Sequence, residues 1–237
     1  MEDFTTTYGN SVAEAAPADR ATFIRKTYTL LALAILAFIA VEFFIFATPV
    51  AEGIVSIVVL GGRLGWLAII AGFMVISWLS NKWAESDTSV ATQYFGLSVF
   101  VVGEAIIFVP LLYFAAYLSG DPVVILKAGI VALGLFAGLS LTVFITRSDF
   151  SWLAPILGIG FFAALGLIVS SLLFGFSLGN IFAFFMVALA GTSILYQTSQ
   201  IIHRFNTNQH VAAALTLFAS VALLFWWILR IFAGSRR

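Results

Sequence analysis

The sequence predicts an all-α integral membrane protein, built as a bundle of seven transmembrane helices. Hydrophobic residues make up 62% of its 237 residues and charged residues only 9%, and the mean hydropathy is +1.11. Soluble domains carry about 25% charged residues, so this chain could not cover its surface in water. Seven apolar runs follow one another, each close to the roughly 20 residues that a spanning helix needs.

The seven runs are bounded by charged residues, Pro, Gly or Asn, which mark where each span begins and ends. The predicted spans are residues 28–47, 64–80, 92–118, 122–146, 152–174, 178–202 and 211–232. The intervening breaks read, in order, TPVAEG, NKWAESD, SGDP, TRSDFS, GFS and HRFNTNQH. Breaks this short make consecutive helices antiparallel neighbours in a bundle. They leave no room for a soluble domain.

The first 20 residues are polar and contain no apolar run. Glu2 and Asp3 stand where a signal peptide would be basic. We therefore predict a disordered polar tail over residues 1–20, followed by the seven-helix transmembrane domain over residues 21–237.

The distribution of Lys and Arg predicts the orientation. With a cytoplasmic N-terminus, the loops and helix ends on the cytoplasmic side hold six basic residues, namely Arg20, Arg25, Lys26, Lys82, Arg147 and Arg204. Outside the C-terminal tail, the other side holds two, Arg63 and Lys127. This excess favours the N-terminus inside. The basic end of the chain opposes a seventh crossing, but the last run is long enough to cross.

Several function classes are disfavoured by composition. The formal net charge is zero, so there is no basic surface for nucleic acid. The chain has no Cys, and His203 and His210 lack a companion carboxylate, so no metal or cofactor is predicted. Ser193 has no histidine at the depth of a membrane-embedded nucleophile. We therefore do not expect an enzyme.

Polar side chains on the last two spans form two stripes. Ser193, Gln197, Gln200 and Arg204 fall on one face of the sixth span, and Thr216, Ser220 and Arg230 follow on the seventh. The short loop between these spans predicts that Gln197 and Ser220 lie at similar depths. The stripes indicate either interhelical hydrogen bonding or the lining of a hydrated pathway.

Other residues inside the predicted spans carry further expectations. Glu104 is the deepest charge, and it indicates either a protonated carboxyl bonded between helices or part of a proton or cation pathway. Glu42 lies nearer its helix end, where an interfacial, solvated carboxylate is expected. Gly134 and Gly138, and the glycines of the fifth span, predict close helix packing.

The same segments resemble those of a known family. RATFIRKTYTLLALAIL, GEAIIFVPLL, TSILYQTSQIIHRF and AAALTLFASVALLFWWILRIF are similar to the Bax inhibitor-1 (YccA-like) membrane proteins, from about residue 20 to residue 232. The resemblance implies a seven-helix bundle that encloses its last helix. It also implies a cytoplasmic N-terminus and, in bacteria, residence in the inner membrane.

The resemblance implies two activities, a pH-dependent calcium leak and the restraint of a membrane-anchored AAA protease. In leak-competent relatives an aspartate pair between the last two helices shares a proton and latches to an arginine. Gln197 and Ser220 occupy the matching positions here, and Arg230 is left without those partners. A remaining latch would join Arg230 to Glu42; otherwise Arg230 extends to the headgroups.

The leading hypothesis is therefore a calcium leak through the seam between the last two helices, with its aspartate gate neutralised. The alternative is a non-conducting regulator of the protease that acts through the N-terminal tail. Both place the protein in a lipid bilayer. Candidate pathway residues, without a catalytic or metal site among them, are Glu42, Glu104, Ser193, Gln197, Gln200, Thr216, Ser220 and Arg230.

Overall fold

The computed structural model describes residues 11–85, 89–121 and 123–234, and within these ranges seven helices follow one another. They are α1 (Pro17–Phe46), α2 (Val50–Ala84), α3 (Val90–Ser119), α4 (Val123–Thr146), α5 (Leu153–Phe174), α6 (Gly179–His203) and α7 (His210–Gly234). All seven are long and apolar enough to cross a membrane. The predicted fold class, an all-α membrane protein with seven spans, is confirmed.

Two predicted helix starts are wrong. Helix α1 begins at Pro17, eleven residues before residue 28 (28 − 17), with the proline in its first turn where no N–H is required. Helix α2 begins at Val50, within the predicted break, and passes through a kink at Gly62 (φ 52°). A left-handed backbone costs glycine little because it lacks a Cβ atom. Gly62 therefore bends the helix without ending it.

The segment before α1 is anchored to the loop between α6 and α7. The Val12 side chain is fully buried, and its N–H donates to the Phe205 carbonyl at 2.8 Å. The Arg20 guanidinium in turn donates to the carbonyls of Val12 (2.9 Å) and Ala13. Residues 11–20 therefore differ from the predicted disordered tail, whereas residues 1–10 of that tail lie outside the described residues.

Three polar segments lie together at one end of the bundle. Ser11 pairs with Asn206, and the Phe150 N–H donates to the Ser199 hydroxyl at 2.9 Å. The start of α1, the α4–α5 loop and the α6–α7 loop are thus at the same end, which we call the N-terminal face. The other end is called the opposite face.

Helix α7 packs against α1, α2, α3, α4 and α6, and it has a larger buried share than any other described helix. Aromatic side chains join it to α3, because Phe100 meets Phe218 with ring centroids 6.1 Å apart and Phe108 stacks on Phe225 at 5.6 Å. The order of these pairs makes α3 and α7 run in the same direction. A position of α7 at the centre of the bundle remains a prediction.

The glycine pattern predicts helix contacts poorly. An added Cβ at Gly134 or Gly138 would have no described atom within 4 Å, so the predicted close packing at this α4 pair is wrong within the described chain. A Cβ at Gly158 or Gly166 would also meet open space, and one at Gly160 would lie 2.5 Å from a Leu189 methyl group. A small-residue pattern allows close approach, but it does not specify which helix face finds a partner.

Replacing Gly96 with alanine is expected to lower the stability of the bundle by about 1–3 kcal/mol, because α2 and α3 approach each other there. The added Cβ would lie 2.8 Å from the Ser80 carbonyl oxygen and 2.9 Å from the Ala84 nitrogen. Gly72→Ala is the matched control, since its Cβ enters open space. Thermal unfolding in detergent should show a lower midpoint for Gly96→Ala only, and equal midpoints would contradict this close packing.

Candidate functional site

Three polar side chains meet between α6 and α7. The Ser220 hydroxyl donates to Gln197 Oε1 at 2.7 Å, and Gln197 Nε2 donates to the Ser193 hydroxyl at 3.0 Å. The two serine hydroxyls are 3.3 Å apart. Ser193 and Gln197 are one helical turn apart, so both face α7. The middle parts of the two predicted stripes thus face each other, and Gln197 and Ser220 are at one depth.

This cluster is largely closed to solvent. Ser220 is buried, with 4% of its surface exposed, while Ser193 and Gln197 are half-buried. The three residues hydrogen-bond to one another and carry no formal charge. Their oxygen atoms could become ligands for a passing cation only if the two helices moved apart.

A polar cavity opens beside the cluster at the N-terminal face. Its volume is about 370 Å³, and its lining residues are Glu85, Gln200, Arg204, Phe205, Gln209, Ala212 and Thr216. Gln200 lies one turn of α6 from Gln197, and Thr216 lies one turn of α7 from Ser220, so the cavity ends about 5 Å from the cluster along the helices. The five residues Ser193, Gln197, Gln200, Thr216 and Ser220 are called the polar seam.

The polar seam does not reach the opposite face. Beyond the cluster, α7 presents buried Leu224 and Ile228, and α6 presents buried Met186 and Ala190. These apolar side chains replace the hydrogen-bonding groups of the seam. A hydrated route could therefore extend from the N-terminal face as far as the cluster, and the structure is closed beyond it.

Sequence reasoning missed how the α4–α5 loop is held beside the seam. Gln200 Nε2 donates to the Ser151 hydroxyl at 3.0 Å, and that hydroxyl donates to Asp149. Hydrogen bonds from the Ser151 side chain and backbone, aided by the charges of His203 and Arg204, lower the pKa of Asp149. A polar loop between predicted spans gave no sign of these tertiary contacts.

Ser199, His203 and Asp149 also lie close together, but their geometry does not suit nucleophilic catalysis. The Ser199 hydroxyl is 3.4 Å from both His203 Nδ1 and Asp149 Oδ1. Nδ1 lies nearer, at 2.9 Å, to the Ser199 backbone carbonyl. Because a carbonyl only accepts, Nδ1 must carry the proton. It therefore cannot take one from the serine.

The two intramembrane glutamates make no hydrogen bond to the seam among the described residues. Glu104 is 7% exposed on α3, one turn from both Phe100 and Phe108, and its Oε2 has no hydrogen-bond partner among the described residues. No described hydrogen bond joins it to the cluster. Glu42 is also 7% exposed, so its predicted solvated position is wrong.

The latch between Arg230 and Glu42 that the sequence left open as an alternative is not formed among the described residues. Within the described chain neither carboxyl oxygen of Glu42 has a hydrogen-bond partner. The Arg230 guanidinium instead lies over the ring of Trp227, with its central carbon 5.1 Å from the ring centroid. A cation over an indole face is attracted by the ring quadrupole, so Arg230 has a neighbour on its own helix.

Comparison with known proteins covers nearly the whole chain. Residues 20–237 match the family model described as "Inhibitor of apoptosis-promoting Bax1". An uncharacterized protein of Pseudomonas aeruginosa is 31% identical in an alignment 218 residues long, which covers 88% of this chain and 87% of that protein. The family match begins in the first turn of α1 and includes the other six helices and the polar seam. The chain therefore belongs to the Bax inhibitor-1 family of membrane proteins.

Proposed function

We propose that the protein is a calcium leak whose pathway is the polar seam, with the N-terminal face towards the cytoplasm of a bacterial inner membrane. The observation that carries the proposal is the Ser220–Gln197 hydrogen bond of 2.7 Å beside a polar cavity open to that face. Polar groups at such depth are costly unless they are paired or line a cavity. Here they do both.

The chemistry of the seam fits a weakly held cation. Calcium takes oxygen ligands in flexible arrangements, and the cluster offers two hydroxyls and one amide oxygen. Conduction requires binding that is weak enough for release, which neutral oxygens provide. Glu85, at the mouth, adds one carboxylate to the cavity lining. The apolar side chains beyond Ser220 form the closed part of the pathway.

The absence of aspartate at Gln197 and Ser220 supports a leak without the pH gate that the family resemblance implies. An amide and a hydroxyl exchange no proton near neutral pH. Calcium flux through the wild type is therefore expected to be constant from about pH 6 to 8, or to change only with the protonation of the Glu104 carboxyl.

The proposal is tested by calcium uptake into proteoliposomes that contain a calcium indicator. Wild-type vesicles should take up calcium faster than protein-free vesicles of the same lipid. Uptake no faster than in protein-free vesicles would contradict the proposal.

The alternative function, restraint of a membrane-anchored AAA protease, is favoured by the anchoring of Val12. This contact fixes residue 11 at the N-terminal face. A partner at that face could therefore reach both the tail and the adjoining loops.

Deleting residues 2–10 is expected to abolish co-purification of the protease while leaving the thermal midpoint unchanged, because the Val12 contact is retained. Deleting residues 2–16 should lower the midpoint as well, since it removes that contact. Retention of the protease after the shorter deletion would exclude the tail as its binding element.

A further inference from the structure

A long apolar groove runs between α1 and α4 near the opposite face, and α3 and α7 form its floor. Its volume is about 660 Å³, within the range of small-molecule pockets. The α1 side contributes Phe38 and Phe46, the α4 side Leu126, and the floor Leu112 and Phe218. The groove is separate from the polar seam, whose residues line none of it.

One ionisable side chain lies in this groove. Glu42 is 93% buried (100 − 7), and neither of its carboxyl oxygens has a hydrogen-bond partner among the described residues. Every other described residue that lines the groove is apolar. A buried carboxyl without a partner is unfavourable. A ligand that supplied the missing donor would therefore gain a strong interaction at this one position.

We propose that the groove binds a single-chain amphiphile whose polar end is a primary ammonium. The ammonium binds Glu42, and the chain packs against the phenyl rings that line the groove, including Phe38 and Phe218. An ammonium has three donors and a positive charge, which complement the two unpartnered oxygens. Donor and carboxylate form a charge-assisted hydrogen bond, stronger than a neutral one.

The residues that line the groove also disfavour a phospholipid as its ligand. A phosphate group would need donors or a cation, and the described lining contains neither. The groove suits a ligand with one polar end.

The position of Glu42 sets the direction of the ligand. It lies one turn before α1 ends at Phe46, while the groove continues seven residues inwards to Ile35. Seven residues of helix span about 10 Å. The ammonium is therefore at the end near the headgroups, and the alkyl chain extends towards the middle of the membrane.

Photolabelling tests this proposal independently of ion conduction. The protein is placed in phosphatidylcholine nanodiscs and labelled with dodecylamine that carries a diazirine in its chain. The labelled residues, mapped by mass spectrometry, should belong to the α1 and α4 walls. Unlabelled dodecylamine should compete at least about tenfold better than dodecanol or phosphatidylethanolamine, because only the amine places a charged donor on Glu42 without a phosphate.

Three variants complete the test. Gly129 lines the groove, and a Cβ there has no described atom within 4 Å, so Gly129→Phe should place its ring in the groove and abolish labelling. Gly134→Phe is the matched control on the same helix, since it enters open space outside the groove. Glu42→Gln should weaken competition by dodecylamine at least about tenfold. Equal thermal midpoints will show that all three variants fold.

Two results would overturn the proposal. Labelling that persists in Gly129→Phe would show that the probe binds elsewhere. Equal competition by dodecanol, or stronger competition by phosphatidylethanolamine, would show that the groove takes a neutral amphiphile or a phospholipid.

Discussion

Calcium flux through the double variant Gln197→Asp/Ser220→Asp is expected to change more than about tenfold between pH 6 and 8. In the wild type the hydroxyl of Ser220 lies 2.7 Å from Gln197 Oε1, so two carboxyls at these positions would lie close to each other. Such a pair holds one proton tightly because both groups cannot ionise together. The contact between the two carboxyls is weaker when the pair holds two protons or none. Flux should therefore be lowest at the pH where the pair shares one proton, and it should rise at lower and at higher pH.

Each single aspartate variant should lack this pH response, since a lone carboxyl has no second carboxyl with which to share a proton. Any pH dependence that the wild type retains should disappear in Glu104→Gln, because Glu104 is the ionisable group buried deepest in α3. A steep wild-type transition that survives Glu104→Gln would show that the seam is not neutralised.

Replacing Gln197 with leucine is expected to reduce calcium flux at least about tenfold. Leucine is similar in size, but it removes both the amide oxygen that Ser220 contacts and the nitrogen that Ser193 contacts. An apolar constriction excludes water and with it the ion. Stability should change little, because the two serine hydroxyls, 3.3 Å apart, can still bond to each other.

Thr192→Val is the matched control for this variant. Thr192 lies next to Ser193 on α6, but its hydroxyl donates to the Ala188 carbonyl of its own helix. Its replacement also removes a polar group at nearly constant volume. The Thr192 variant should therefore keep wild-type flux, and a Gln197→Leu flux within about twofold of wild type would contradict the proposed pathway.

The polar seam could be predicted from the sequence because two simple quantities determine it. Helical periodicity places Ser193 and Gln197 on one face, and the length of the α6–α7 loop sets the depth of Ser220 relative to them. Neither depends on knowing how the other five helices pack. The seven spans were predictable for a related reason, since the apolar length that crosses hydrocarbon is read directly from the chain.

Features that depend on packing between distant segments were not predictable. The burial of Val12 results from a contact with Phe205, and the exposure of Gly134 depends on which face of α4 finds a partner. Glu42 was expected near water because of its distance from the helix end. Its true surroundings are set by α3, α4 and α7, which leave an apolar groove at that position.

The central claim, that the polar seam is the calcium pathway, is tested most directly by a single cysteine in the seam. The chain has no Cys, so Ser220→Cys introduces a unique thiol, and Ser140→Cys is the control because both serines are 4% exposed and Ser140 faces Thr198 instead. Vesicles of each variant are treated with a small cationic methanethiosulfonate, and calcium uptake is measured before and after. The proposal predicts that calcium uptake falls to the protein-free rate for Ser220→Cys only. Excess calcium should slow the modification of this thiol by the reagent. Full modification of Ser220→Cys without loss of uptake would contradict it.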